Sequence, residues 1–315
     1  MLFGRGGCHP IGERMWSAAK EMSEMTAWRR NAMAWKYAVF TVMCPECALD
    51  QTAAMASSVG LDGLEWRVTK KAPEPITEVS YWGANRSTVD VNDIEADLKR
   101  AKALADQHGL EMPVLGTYMK CTELPVVEAV MRAGASVGCR KLRVEPPSYD
   151  GSRPYQELFD ETLADFEKVA ALARKYAVQA CVEMHMGNIT PSAGLAHRLV
   201  SNFDPQEVGV IFDPGNMVVE GFENYQMGLE LLGPYLSHVH AKNCLWEKTG
   251  EENGVAEWEW RMAPVKKGQA DWTTIVAALK KVGYDGWLSF EDFSDGDTKT
   301  KMTEALAYLK KLEAA

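Results

Sequence analysis

Val208-Gly-Val-Ile-Phe-Asp-Pro-Gly-Asn-Met217 and, one helical-looking run later, Leu236-Ser-His-Val-His-Ala-Lys-Asn243 decide how this chain is read. Each opens as a short apolar run, Val208 to Phe212 and Leu236 to Val239. Each then reaches a residue that binds metals well, Asp213 and His240. A buried strand that finishes on a lone carboxylate or imidazole places that group at the rim of a sheet. Two further runs repeat the pattern on either side: Ala180-Cys181-Val182 ends in Glu183, and Trp287-Leu288-Ser289-Phe290 ends in Glu291. Four strands that each end in a possible ligand imply one metal site on the C-terminal rim of a parallel barrel.

Working outward, the chain from Trp35 alternates strand and helix signals. Strands are expected at Lys36–Val42, Gly63–Val68, Met112–Thr117, Lys141–Val144, Val178–Glu183, Val208–Phe212, Leu236–His240 and Gly286–Phe290. Helices are expected at Leu49–Val59, Val91–His108, Leu124–Ala133, Tyr155–Tyr176, Gly194–Val200, Tyr225–Leu232, Thr273–Val282 and Lys301–Leu312. Alternation of this kind forces parallel pairing through crossovers. Eight units in about 280 residues is the arithmetic of a (β/α)8 TIM barrel. A doubly wound sheet would want a phosphate-binding glycine loop after its first strand, and that loop here reads Met43-Cys-Pro-Glu-Cys47. The barrel is therefore assigned to residues 33–315.

Residues 1–32 read as a short N-terminal extension, dispensable for chemistry, with a helix expected over Glu13–Arg30. They hold no continuous apolar core of a signal peptide, so export is not expected. The connection Asn243 to Asp271 is unusually long. It carries Trp246, Trp258 and Trp260 among acidic residues, with Trp272 just after its end and Arg261 near its middle. Long connections of this kind are usually lids or binding loops, and the alternative is an insertion that packs on a neighbouring subunit.

Composition bounds the class. Of the 315 residues 46% are hydrophobic and 25% charged, which is ordinary for a globular protein with a substantial core. The formal net charge of −10 argues against nucleic-acid and anionic-membrane partners, which would want a basic face. No apolar run of about 20 residues suggests a membrane span. The seven cysteines, at 8, 44, 47, 121, 139, 181 and 244, are odd in number and scattered, which suggests reduced thiols in a cytoplasmic protein. Cys44-Pro-Glu-Cys47 has metal or redox spacing but lacks a second pair or a thioredoxin-like context, so it reads as loop cysteines.

Residues two apart on a strand share a face. That rule groups Glu65 with Arg67, Arg143 with Glu145, Glu183 with His185, and His238 with His240 and Lys242. If the ligands face the barrel axis, these neighbours do too. The mouth then holds charges of both signs, as a polyhydroxylated or carboxylated small molecule requires. For Glu65/Arg67 and Arg143/Glu145 the plainer expectation is a structural ion-pair layer, and His238 fits a residue that orients a ligand.

Three carboxylates and one imidazole suit Mn²⁺, Mg²⁺ or Co²⁺ better than a structural zinc, which prefers sulfur. A divalent ion can hold a carbonyl oxygen and its neighbouring hydroxyl, polarising the C–H between them by several kcal/mol towards an enediolate. Glu183 and Glu291, from different strands, would remove and return the proton, each contributing about 10²–10⁴-fold. No organic cofactor is required.

These residues resemble the xylose isomerase-like TIM barrels, in particular the sugar phosphate isomerase/epimerase group that includes ketose 3-epimerases and hydroxypyruvate isomerase. The resemblance spans roughly residues 35 to 312 and rests on Val182-Glu-Met-His185, Phe212-Asp-Pro-Gly-Asn216, His238-Val-His-Ala-Lys-Asn243, and Gly283-Tyr-Asp-Gly286 running into Ser289-Phe-Glu291. It implies that Glu183, Asp213, His240 and Glu291 bind one divalent ion, Mn²⁺ first, with Zn²⁺ also possible. It implies that Glu183 and Glu291 form the acid/base pair, and that His185 and Arg261 hold substrate oxygens. Two departures touch substrate contacts rather than ligands. Asn216 stands where ketose 3-epimerases carry a histidine, and Gly268-Gln-Ala270 replaces a Gly-x-Gly. Asn216, Lys242 and Arg143 join the expected substrate-binding set.

The reading is thus a metal-dependent isomerase or epimerase of a small carbohydrate, working as a homo-oligomer (dimer or tetramer). The alternative is a lyase or dehydratase acting by β-elimination on a keto-sugar or keto-cyclitol, since the same resemblance includes inosose and dehydroshikimate dehydratases. A DNA-repair endonuclease of the related barrel group would need extra histidines where Asn216 and Asn243 stand. A non-catalytic sugar-binding barrel would have little reason to keep four ligands. The absence of a glycine-rich phosphate loop after the seventh or eighth strand argues mildly against a sugar phosphate.

Overall fold

The structure, a computed structural model, describes residues 35–315. In chain order the strands are β1 (Lys36–Phe40), β2 (Gly63–Thr69), β3 (Thr88–Asp90), β4 (Leu115–Thr117), β5 (Lys141–Arg143) and β6 (Gln179–Glu183). They continue as β7 (Val208–Phe212), β8 (Leu236–Ala241), β9 (Asn243–Glu252), β10 (Val255–Ala263) and β11 (Trp287–Phe290). β1 pairs in parallel with both β2 and β11, and this double pairing closes the sheet. The ring runs β1-β2-β4-β5-β6-β7-β8-β11, eight parallel strands, with β3 as an extra partner on β2. All eight expected barrel strands are present, in the expected order.

The helices α1 (Leu49–Val59), α2 (Ile94–Gln107), α3 (Leu124–Ser136) and α4 (Tyr155–Tyr176) fill the first half of the outer layer. The second half comprises α5 (Ala193–Val200), α6 (Pro214–Val219), α7 (Tyr225–Leu232), α8 (Trp272–Val282) and α9 (Thr298–Ala314). Local chemistry sets their ends. Ser192, Asp271 and Asp297 accept backbone N–H bonds from the first turns of α5, α8 and α9. Gly60 and Gly283 close α1 and α8 at φ of 87° and 72°.

Because helices cover the outside, β7 is buried at every position and shows an unbroken apolar run rather than alternation. The barrel interior is polar towards the C-terminal rim. His238 and His240 on β8 reach Glu65 on β2, with β11 and β1 between them in the ring. Side chains can meet across two intervening strands only through the interior.

Two findings refine the expectations. The long connection, expected as a lid, a binding loop or a subunit-packing insertion, folds over Asn243 to Ala263 as a β-hairpin of β9 and β10. Its turn is Asn253-Gly254, at φ of 53° and 82°, the left-handed pair that a two-residue hairpin turn requires. That dipeptide, followed by alternating Trp258 and Trp260, was the available sequence signal. Second, Glu65 and Arg67 make no ion pair with each other: Glu65 is taken by the two histidines. The extension 1–32, its expected helix Glu13–Arg30, Cys8 and His9 lie outside the described residues. No helix among the described residues is long and apolar enough to cross a membrane.

Candidate metal centre

Glu183 is the last residue of β6, Asp213 follows β7, His240 is the penultimate residue of β8, and Glu291 follows β11. All four are buried, and one ligand atom from each lies within 4.8 Å of the other three. His240 Nδ1 is 2.9 Å from Glu183 Oε1 and 3.6 Å from both Asp213 Oδ2 and Glu291 Oε2. The other ring nitrogen, Nε2, is 3.2 Å from Glu65 Oε1. Glu65 Oε2 in turn lies 3.1 Å from His238 Nε2.

A second group, Glu65, His238 and His240, also brings ligand-type atoms together. Its atoms already satisfy one another by hydrogen bonds, whereas Glu291 Oε2 is buried without one. Two like charges about 4 Å apart repel by roughly 4 kcal/mol near a protein surface. Three buried carboxylates and one imidazole converging on one point, flanked by Lys242 and Arg143, give the oxygen-rich donor set that fits a divalent cation in the four-residue group.

Asp213 does two jobs. Its Oδ1 accepts the Asn216 N–H at 2.9 Å and starts α6, while Oδ2 faces His240 and Lys242. Pro214 at the first helical position needs no donor partner. Gly215 is required by close packing: a Cβ there would sit 2.6 Å from Lys242 Cγ and 2.9 Å from the Lys242 backbone.

The supporting charges split the two glutamates. Burial opposes ionisation of Glu183, but Arg143 and His240 hold its carboxyl well below the usual range. Arg143 donates to Glu183 Oε2, donates to the Thr117 carbonyl at 2.6 Å and pairs with Glu145 at 3.2 Å. Glu291 goes the other way: burial raises it, helped by Glu183 and Asp213, although Lys242 Nζ stands 3.0 Å away. Burial likewise opposes protonation of His240, yet Glu65, then Asp213 and Glu183, hold it well above the usual histidine range.

Of the expected substrate contacts, Lys242, Asn216 and Arg143 converge on the ligands themselves. Asn216 Nδ2 donates to Asp213 Oδ2 at 2.9 Å and to the Met184 carbonyl at 3.1 Å, leaving its buried Oδ1 unpartnered. His185 is half-buried just beyond Glu183, its Nδ1–H donating to the Met186 carbonyl at 2.6 Å. Arg261 is on β10, exposed, with Nε 2.9 Å from Glu247, so its ion pairs are with the hairpin and not with the cluster. The hairpin base nevertheless abuts the site. Trp246 Nε1–H donates to the Val218 carbonyl on α6, and Asn243 bonds Val265 and Ala270.

Sequence reasoning missed Tyr118, one residue past β4. Its buried hydroxyl has no partner, and its ring centroid is 4.5 Å from Arg143 Cζ and 5.4 Å from Arg67 Cζ. Position on a strand end was the only available signal. Cys44 and Cys47 are free thiols, both pushed up chiefly by burial, Cys47 to about 11, which leaves them poor nucleophiles.

Residues 53–312 match the family model described as xylose isomerase-like TIM barrel. An inosose dehydratase of Lacticaseibacillus casei is 27% identical over 162 residues, 47% of this chain and 51% of that protein. The chain thus spans about half the length of the curated relatives it matches. Among solved structures, 3-keto-D-glucoside 4-epimerase from E. coli superposes with a TM-score of 0.66 at 15% identity, over 88% of this chain and 100% of that one. D-psicose 3-epimerase from Clostridium cellulolyticum H10 gives 0.64 at 14% identity, over 88% and 99%. At such identities these likenesses show the barrel fold.

Proposed function

The chain belongs to the xylose isomerase-like TIM barrel family, and on that footing we propose that it is a divalent-metal-dependent isomerase or epimerase of a small carbohydrate. The observation that carries this is the convergence of Glu183, Asp213, His240 and Glu291 from four strand ends, with Glu291 Oε2 ion-paired to Lys242 but making no hydrogen bond. These four residues would hold one ion, Mn²⁺ first, which when bound would acidify the C–H beside a substrate carbonyl.

The chain's own groups divide the remaining work. Glu291 Oε2, raised in pKa and free of hydrogen bonds, is the stronger base and takes the proton. Glu183 sits on a different strand; Arg143 and His240 keep it ionised, so to return a proton to the planar enediolate it must first take one from solvent. Both Glu183 oxygens are engaged, one by His240 and one by Arg143, so its position is held. Lys242 keeps Glu291 directed inward. His185 Nε2, Asn216 Oδ1 and Lys242 are assigned to substrate hydroxyls, Arg143 to the charge on Glu183, and Arg261 to a substrate contact from the hairpin. The exposed Trp258 and Trp260 of β10 suit a subunit contact, and the free thiols suit the cytoplasm.

Deuterium incorporation tests this. Mn²⁺-loaded protein is incubated in D₂O with free ketoses, keto-inositols and 3-keto-glycosides and followed by NMR, beside Glu183→Gln and Glu291→Gln. Deuterium entering next to the carbonyl with no loss of water supports an isomerase or epimerase. The inosose dehydratases among the relatives motivate the second reading, β-elimination, and an unsaturated product would establish it. Absence of both metal binding and exchange would reject the whole assignment.

A further inference from the structure

Arg67 is 3% exposed at the upper end of β2, yet among the described residues no carboxylate lies within ion-pair distance of it. Its Nη atoms donate to Thr88 Oγ1 and to the Trp82 carbonyl, the latter at 2.8 Å, with Gly83 O at 3.5 Å. Neutral acceptors satisfy N–H groups but leave the net charge uncompensated. A buried charge without a counter-ion is costly. Glu65, the acid two positions earlier, is committed to His238 and His240. Arg143, the neighbouring guanidinium, is committed to Glu183 and Glu145.

Two donors remain unused at this point. Among the described residues, Arg67 Nε and Tyr118 Oη are both buried and without hydrogen-bond partners, and the Tyr118 ring is 5.4 Å from Arg67 Cζ. Burial pushes the Arg67 guanidinium down, and the adjacent Tyr118 hydroxyl offsets only part of that. The corner adjoins the metal centre: Tyr118 touches Arg143, which grips Glu183.

We propose that Arg67 and Tyr118 form an anion subsite beside the metal centre, which takes an oxyacid group, carboxylate or phosphate, carried by the substrate. This rests on the mouth being a carbohydrate site and narrows the substrate to an acidic sugar or cyclitol. A planar guanidinium with a free Nε–H and an adjacent phenol hydroxyl together offer two donors to one oxyanion.

The test is calorimetric titration of the Mn²⁺-loaded full chain with D-glucitol, D-gluconate and D-glucitol 6-phosphate. Wild type should bind one anionic probe at least about tenfold more tightly than glucitol, and whichever it is distinguishes carboxylate from phosphate. Arg67→Met should erase most of that preference, Arg67→Lys should restore part of it, and Tyr118→Phe should weaken the anionic probe several-fold while sparing glucitol. Equal binding of all three probes overturns the proposal. So does a preference that survives in Tyr118→Phe and Arg67→Met, because it then belongs to the metal ion. Should Arg67→Met fail to fold, Arg67→Lys and Tyr118→Phe decide. With keto-acid sugars and ketose phosphates added to the exchange panel, anion preference without deuterium exchange would leave the subsite standing and reject the isomerase reading, and exchange without anion preference would do the reverse.

Discussion

Glu65 Oε1 lies 3.2 Å from His240 Nε2, and the opposite ring nitrogen, Nδ1, faces Glu183, Asp213 and Glu291. A carboxylate on one imidazole nitrogen fixes the tautomer and orientation of the other. Such partners typically affect metal affinity about 10–100-fold. Glu65→Gln is therefore expected to weaken Mn²⁺ binding by about tenfold, measured by titration, with an unchanged far-UV spectrum. Undiminished affinity in a folded variant would show that Glu65 is only interior packing.

Protonation should compete with the metal. His240 is held well above its ordinary value of about 6.5, so the stability it lends the metal-free protein is full below that value and lost as pH rises through the raised one. Glu183 is depressed, so its contribution is present above the ordinary carboxylate value and lost as pH falls through the depressed one. The melting temperature of stripped protein should fall on both the alkaline and acid sides, and Mn²⁺ should blunt the alkaline fall. A flat alkaline profile in stripped protein would contradict the role given to His240.

Lys242 Nζ, 3.0 Å from Glu291 Oε2, lowers a carboxyl that burial raises. Lys242→Met should raise Glu291 further and shift the acid limb of the pH–rate profile upward. A lower rate with an unmoved limb would instead assign Lys242 to substrate binding alone.

Gly116 sits in β4 against Phe40, where an added Cβ would approach the ring to 2.1 Å. The Phe40 ring is 5.7 Å from His240 and 6.4 Å from Tyr118. Gly116→Ala should destabilise by about 1–3 kcal/mol in denaturant titration, as overpacked cores do. It should also weaken metal binding by displacing His240.

Arg261 pairs with Glu247 on the exposed hairpin. Arg261→Ala is expected to raise KM while leaving Mn²⁺ affinity and kcat near wild type. Loss of Mn²⁺ affinity would place Arg261 in the metal centre instead.

The eight barrel strands, the outer helices other than α6 and the four candidate ligands were legible in the sequence because each depends on local pattern. An apolar run such as Val208–Phe212 has the length of a buried strand, and the residue that ends it arrives at the rim wherever the strand sits. The same reasoning could not say which side chains pair. Glu65 and Arg67 share a face of β2 but stand at different depths: the partners of Glu65 come from β8, far along the chain, and those of Arg67 from the segment that follows β2. Tertiary closure alone decided that Glu65 buttresses His240, that Arg67 meets no acid among the described residues, and that Tyr118 ends beside both guanidiniums. The physical reason is that strand period specifies a face, whereas the charge a side chain meets there is set by ring order and register across the barrel.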